Sequence, residues 1–320
     1  MASVQRDQRT AETGLKVAVL VPCYNEATTI SEVVTAFRAA LPDAEIYVYD
    51  NNSTDATASL AASAGAIVRR EPIQGKGNVV RRMFADVDAE VYVLVDGDAT
   101  YDALAAPEMI DLLVQDRLEM VNGARTSKTT EAYRTGHRFG NRVLSSLVRM
   151  MFGARIKDML SGYKIFSRRF VKTFPAHSAG FEIETELVVH ALELRMAVAE
   201  VSTTYGERPE GSSSKLHTIR DGFRILLTIL ELVKEERPLL FFSSLAGCLL
   251  LFSVILGMPV ITEYVATGLV PRLPSLVVSG FAVILAFVAF ACGLILDTVT
   301  RGRREIKRLA YLQERPPAAR

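Results

Sequence analysis

The chain contains no tryptophan in 320 residues, only three cysteines, 20 glycines and 12 prolines, and its formal net charge is +1. Each shortage removes a class of protein. A balance of 37 Lys and Arg against 36 Asp and Glu gives no broad basic field, so nucleic acid is not an expected partner. Cys23, Cys248 and Cys292 show no metal-ligand spacing and form no even disulfide set, which fits a reducing compartment. Glycine and proline are too scarce for collagenous or low-complexity chains, and 49% hydrophobic with 23% charged residues excludes disorder. Apolarity is what the chain has in excess: its mean hydropathy of +0.21 is high for a purely soluble protein.

That excess is local. From Leu239 to Ile261 the chain runs 23 residues without a charge, and from Leu273 to Leu296 it runs another 24. Each matches the length of a helix crossing a hydrocarbon core. Lys234 and Arg237 precede the first run, Arg301, Arg303, Arg304, Lys307 and Arg308 follow the second, and the connecting loop offers only Glu263 and Arg272. The positive-inside rule then places both flanks, and hence both termini, in the cytoplasm of an inner (plasma) membrane protein with two spans. MASVQRDQRT has no apolar signal core, so the segment before the spans is expected to stay cytosolic. Two amphipathic stretches, His217 to Glu236 and Arg138 to Lys157, suit helices lying in the membrane interface or packed on the domain. Gly247, Gly257, Gly280 and Gly293 offer places for helices to approach closely, in the hairpin or in a homo-oligomer.

The first 125 residues alternate β-branched runs with helical patterns: KVAVLVPCY, EIYVYD, AIVRRE and VYVLVDGD each precede a helix-forming stretch. This predicts an α/β fold with a mostly parallel sheet and helices on both faces. Thr29 with Glu32 reads as a capping box, and Pro107 suits the first turn of the fourth helix. In such sheets ligands bind beyond the carboxyl ends of the strands. There stand VPCYNE, with Pro22, Tyr24, Asn25 and Glu26, and YDNNSTD, with Asp50, Asn51, Asn52, Ser53 and Asp55. A carboxylate and amides at a strand end read base edges and ribose hydroxyls; singly, these residues also serve as caps and turns. QGKGN sets Lys76 between two glycines at a helix start, a place for phosphate. Asp96 and Asp98, one residue apart at the end of an apolar strand, are costly to bury unless a cation or hydrogen bonds compensate them; a divalent metal on a diphosphate does so.

The ordered set VPCYNE, DNNSTD, GKG, DGD, DMLSGYK and RPEGSSSK resembles the family-2 glycosyltransferases of GT-A (Rossmann-like) fold. Within them it is similar to the polyprenyl-phosphate and dolichyl-phosphate hexose synthases, in the bacterial subgroup with two membrane helices. The resemblance covers roughly Lys16 to Arg224. It implies an inverting enzyme that moves a hexose from a nucleoside-diphosphate sugar to a polyprenyl phosphate. UDP-linked glucose-type or N-acetylhexosamine donors fit the subgroup best, with GDP-mannose as the alternative.

By the same resemblance Pro22, Tyr24, Glu26 and Asp50 line the base and ribose pocket with Asn52 beside them, and Lys76 lies near the nucleotide. Asp96 and Asp98 match the DXD motif that holds Mg²⁺ or Mn²⁺. Thr100 stands where relatives often carry a further ligand, Gln, which leaves a third protein ligand open. Arg125 and Arg138 match contacts to the acceptor phosphate, and Asp158 and Ser161 lie near sugar and acceptor. Of FEIETE, Glu182 and Glu184 match a family carboxylate position, with Glu186 a further candidate. Arg208, Ser214 and Lys215 match a loop closing over phosphates, although composition alone reads that stretch as a solvated linker. Four histidines, His137, His177, His190 and His217, show no pairing and are assigned no chemistry. Processive polysaccharide synthases, which carry Q-x-x-R-W, are excluded by the missing tryptophan. An inactive membrane-tethered nucleotide-sugar sensor is the rival from another class. The expected domains are a flexible N-terminus (1–15), a cytosolic catalytic domain (16–215), a juxtamembrane amphipathic helix (216–237), a two-helix anchor (238–297) and a basic cytosolic tail (298–320).

Overall fold

Runs of Val, Ile, Leu and Tyr bounded by polar turns form strands at each expected place. The computed structural model describes residues 15–126, 156–176, 180, 182–206, 231 and 233–316. Among them are strands β1 (Val17–Cys23), β2 (Glu45–Asp50), β3 (Ile67–Arg70), β4 (Val91–Leu94), β5 (Met120–Thr126), β6 (Lys164–Ser167) and β7 (Val198–Thr204). They form one sheet in the order β3-β2-β1-β4-β6-β5-β7. Strand β6 runs antiparallel to both β4 and β5, and the other pairings are parallel. Inner strands read as continuous apolar runs because both faces are covered: Ala18, Val19, Leu20 and Val21 are all fully buried.

The helices are α1 (Ile30–Ala40), α2 (Thr57–Ser63), α3 (Lys76–Asp86), α4 (Ala106–Gln115), α5 (Arg168–Thr173), α6 (Ile183–Glu193), α7 (Pro238–Thr267) and α8 (Leu273–Gln313). Ile30, Val34 and Phe37 of α1 and Met109, Ile110 and Leu113 of α4 share a core with Val91, Val93 and Ile165. Phe84 of α3 instead meets the Tyr92 and Phe166 rings, at 6.3 and 5.9 Å. Successive strand residues point to opposite faces, so these two sets of helices cover opposite sides of the sheet. Pro107 lies in the first turn of α4, as expected. The capping box does not form. Thr29 makes no side-chain cap bond to α1 and donates its hydroxyl to Gly97 O at 2.7 Å, tying the helix start to the DGD turn.

The chain divides into two compact units, Met1–Gly222 with Lys307–Arg320, and Phe223–Ile306. In the second, α7 and α8 are long and apolar enough to cross a membrane. Their side chains are largely uncovered; Phe287, for example, is 73% exposed, a surface that suits lipid rather than water. Where the helices meet, Ser253 donates to Ser279 O at 3.0 Å and Ser279 returns a bond to Ser253 O at 3.0 Å. A Cβ on Gly257 would lie 2.6 Å from Ser279 Oγ, and one on Gly293 would lie 2.9 Å from Phe242 Cβ. Gly247 and Gly280 face open space. Arg304 donates to Glu236 Oε2 at 3.0 Å, linking the two ends of the hairpin.

In the first unit Lys307 donates to Glu193 at 2.7 Å, and Tyr311 donates to Glu119 at 2.8 Å while accepting from Arg169 at 3.1 Å. The three cysteines form no disulfide, and Cys23 is buried, with its thiol donating to Val21 O at 3.7 Å.

Candidate active site

Three turns leave the carboxyl ends of β1, β2 and β4, and each contains a non-glycine residue in the left-handed region: Asn25 (φ 53°), Asn52 (φ 63°) and Ala99 (φ 56°). Asparagine tolerates this conformation, whereas alanine is held there at a cost of about 1 kcal/mol. Side chains join the first two turns: Asn25 N–H donates to Ser53 Oγ at 2.9 Å, Thr54 N–H to Asn25 Oδ1 at 2.8 Å, and Glu26 N–H to Thr57 Oγ1 at 2.8 Å. Burial raises the Asp55 carboxyl, but hydrogen bonds from the Thr57 hydroxyl and from the Thr57 and Ala27 amides outweigh it and hold Asp55 below the usual carboxylate range. Asn51 donates to Glu71 O at 2.9 Å and Ile73 O at 2.8 Å and accepts from Gly75 N–H at 2.8 Å. Asn52 donates to Pro72 O at 2.8 Å and accepts from Arg70 at 3.1 Å. For Asn25, Asn51, Asn52, Ser53 and Asp55 the turn-forming reading therefore describes the geometry. Pro22, Tyr24, Glu26 and Asp50 remain at the strand ends; Tyr24 is exposed and Asp50 is buried, with its Oδ1 accepting Ser53 N–H at 3.3 Å.

Lys76, at the first position of α3 behind Gly75, is paired with both Asp96 and Glu184. Burial works against its charge, but the two carboxylates outweigh that penalty and keep it protonated, above the ordinary lysine range. Of the three acidic residues in FEIETE, Glu184 is buried and meets Lys76, while Glu182 and Glu186 are only partly covered. Asp98 is 5% exposed and accepts from the Thr100 hydroxyl at 2.5 Å and the Thr100 amide at 3.3 Å. Thr100 thus orients the second DGD carboxylate. Gly97 packs so closely that a Cβ there would lie 2.8 Å from Cys23 Sγ, which locks the VPCYNE turn onto the DGD turn.

A second cluster adjoins the first. Asp158 receives Arg125 Nε at 2.7 Å, Nη2 at 2.8 Å and the Arg125 amide at 3.1 Å. Burial raises the Asp158 carboxyl, but the Arg125 hydrogen bonds and charge outweigh this and keep it ionised. The Arg125 guanidinium also lies 5.6 Å from the Tyr205 ring. Gly162 presses on Asp96: any Cβ at position 162 would overlap the Asp96 carboxylate. Gly162 N–H donates to Tyr101 OH at 2.7 Å, and Gly206 N–H donates to Thr100 O at 2.8 Å. The stretch entering RPEGSSSK is thereby rooted beside the DGD turn. Ser161 has no exposed surface, and its hydroxyl donates to Gly123 O at 2.5 Å. This bond ties the loop to β5.

Arg138, Arg208, Ser214 and Lys215 lie outside the described residues, as do most of the two amphipathic stretches. Four residues that the sequence did not single out belong to the site: Tyr101, Gly162, Lys164 and Glu200. Lys164 is fully buried at the start of β6 and donates to the Met159 and Ser161 carbonyls. Its burial, only partly offset by Glu184 and Asp158, pushes the ammonium down to about 8. A lysine and a glutamate inside otherwise apolar strand patterns, GYKIF and VAEV, were the available signals.

Residues 18–174 match the family model "Glycosyl transferase family 2". Glycosyltransferase AglJ of Haloferax volcanii is 32% identical over 299 residues, covering 93% of this chain and 98% of that protein. The chain belongs to the family-2 glycosyltransferases. A second Haloferax volcanii relative of the transferase, named dolichyl-phosphate hexose transferase, is 29% identical over 223 residues, 69% of this chain and 95% of that one. Among solved structures, glucosyl-3-phosphoglycerate synthase from Mycobacterium tuberculosis, in complex with Mn²⁺, UDP-glucose and phosphoglyceric acid, aligns with a TM-score of 0.54 at 23% identity, covering 69% of this chain and 81% of that one. The likeness is one of fold, GT-A.

Proposed function

We propose that this glycosyltransferase moves a hexose from a UDP-linked sugar, of glucose or N-acetylhexosamine type, to a polyprenyl phosphate, with inversion at the anomeric carbon. The observation that carries this reading is the contiguity of two clusters: Gly162 joins the Asp96–Lys76–Glu184 group to the Asp158–Arg125 pair. One cluster suits a nucleoside diphosphate, the other an anionic acceptor. The two long apolar helices and the dolichyl-phosphate relative favour a lipid acceptor. The Lys and Arg flanks favour a cytoplasmic catalytic unit in the plasma membrane.

In this reading Pro22, Tyr24, Glu26 and Asp50 line the base and ribose pocket, and Lys76 orients Asp96 towards the diphosphate. Asp96 and Asp98 fit a divalent cation by donor chemistry: both are hard oxygen ligands, and Asp98 is held in one orientation by Thr100. Among the described residues no group of three His, Cys, Asp or Glu side chains converges, so the remaining ligands would come from the donor's phosphates and water. A bound Mg²⁺ or Mn²⁺ supplies positive charge for the departing diphosphate. The lipid phosphate is already anionic at neutral pH and needs no strong base to attack. Arg125, fixed by Asp158, holds that phosphate in line, and Arg138, Arg208, Ser214 and Lys215 complete its cradle.

The test is a donor panel of UDP-glucose, UDP-N-acetylglucosamine, UDP-galactose and GDP-mannose with undecaprenyl phosphate and Mn²⁺. The expected product is a β-linked lipid monophosphate sugar from an α-linked UDP donor. Retained configuration contradicts single displacement, preference for GDP-mannose reverses the donor reading, and donor binding without transfer to the lipid identifies a sensor.

A further inference from the structure

The segment from Ile156 to Gly162 presents Asp158 to Arg125 and Gly162 to Asp96, and it has no regular secondary structure to fix it. Its backbone is held instead by side chains from the sheet. Glu200, the one charged residue of β7, accepts Lys157 N–H at 2.9 Å and Asp158 N–H at 3.2 Å on its Oε2. The same oxygen accepts Asn122 Nδ2 at 3.0 Å, and Asn122, its register partner on β5, also donates to Asp158 O at 2.9 Å. From the other side Lys164 holds the Met159 and Ser161 carbonyls. A carboxylate thus gathers the N–H groups of the segment and an ammonium gathers its carbonyls.

We propose that Glu200 is a positioning residue for glycosyl transfer: it holds the Lys157–Asp158 backbone and, through it, sets Asp158 against Arg125. The proposal rests on the reading of Arg125 as the acceptor-phosphate contact. All three bonds that Glu200 accepts serve this segment or the Asn122 amide that also grips it. The sheet does not depend on them, because β5 and β7 keep register over seven pairs from Met120↔Val198 to Thr126↔Thr204. Loss of the carboxylate therefore releases the Lys157–Asp158 end of the loop, while Lys164 still holds the Met159 and Ser161 carbonyls next to Gly162 and the strand stays in place. Charge-assisted bonds of this kind are about twice as strong as neutral ones, so a glutamine keeps a weaker version of the same grip.

The experiment uses the full chain with Glu200→Ala and Glu200→Gln. UDP binding with Mn²⁺, kcat/KM for undecaprenyl phosphate with the panel donor that wild type uses, and hydrogen exchange of the Lys157 and Asp158 amides are measured together. Glu200→Ala is expected to exchange both amides at least tenfold faster and to lose at least tenfold in kcat/KM for the lipid, with UDP affinity within twofold of wild type. Glu200→Gln is expected to recover most of both losses. Unchanged exchange, unchanged kcat/KM, or UDP affinity falling in step with transfer overturns the positioning role. Arg125→Ala is the separate control: transfer equal to wild type in that variant sinks the acceptor reading and the functional half of this proposal, while the exchange data still decide whether Glu200 holds the loop.

Discussion

Lys76 lies between the buried Glu184 and the half-buried Asp96, and its removal would leave both carboxylates without the cation that joins them. Breaking a buried ion pair from one side costs about 3 kcal/mol or more. Lys76→Met should therefore lower the thermal midpoint of the detergent-solubilised protein clearly, and adding Glu184→Gln should restore part of the loss; a midpoint equal to wild type contradicts the network. Gly162 gives a second test. A methyl at this position has nowhere to go but into the Asp96 carboxylate, so Gly162→Ala should weaken Mn²⁺-dependent UDP binding at least tenfold in calorimetry. Wild-type affinity would show that the packing of Gly162 on Asp96 is unimportant.

His190 sits between the Phe170 and Phe174 rings with no hydrogen-bond partner for either ring nitrogen, and burial, assisted by the Lys307 charge, pushes it down to about 3. The unfolded chain takes up this proton near pH 6.5 and the folded chain does so only near 3, so folding loses stability as pH falls through that window. At pH 5 the loss is on the order of 2 kcal/mol. His190→Leu should flatten the decline of thermal midpoint between pH 6.5 and 4; an unchanged slope contradicts a buried neutral imidazole.

At the level of elements, α7 and α8 meet through small residues, with the reciprocal Ser253 and Ser279 bonds and the contact at Gly257. A double-mutant cycle of Ser253→Ala and Ser279→Ala should give a coupling of roughly 0.5–1.5 kcal/mol, the range of polar contacts between membrane helices. Additive effects would mean that the serines do not bond in the membrane. The strands, the apolar helices and the strand-end motifs were legible in the sequence because they depend on local pattern: period two, helical spacing, and polar residues after an apolar run. The capping box at Thr29 failed because a tertiary acceptor, Gly97 O, competed with the local one. Glu200 and Lys164 stayed hidden for a related reason. Their partners are backbone groups of a loop about 40 and a few residues away, and only the register of β5, β6 and β7 brings them together. Among the Glu residues of FEIETE, helix phase alone could not choose; the position of Lys76 selects Glu184.

At the scale of the whole molecule, the near-zero net charge conceals a separation of carboxylates at the strand ends, Asp50, Asp96 and Asp98, from the Lys and Arg residues that flank the apolar helices. The apolar excess is confined to the second unit, and the first is a family-2 glycosyltransferase fold. The proposed reaction requires that the DGD carboxylates serve transfer to a lipid phosphate. Its most direct measurement is transfer of radiolabelled sugar from the UDP-sugar panel to undecaprenyl phosphate by wild type and Asp98→Ala, side by side with Mn²⁺. A labelled lipid product is expected from wild type, with a loss of roughly a hundredfold or more in the variant. No lipid product from any donor, or near-wild-type transfer by Asp98→Ala, would contradict it.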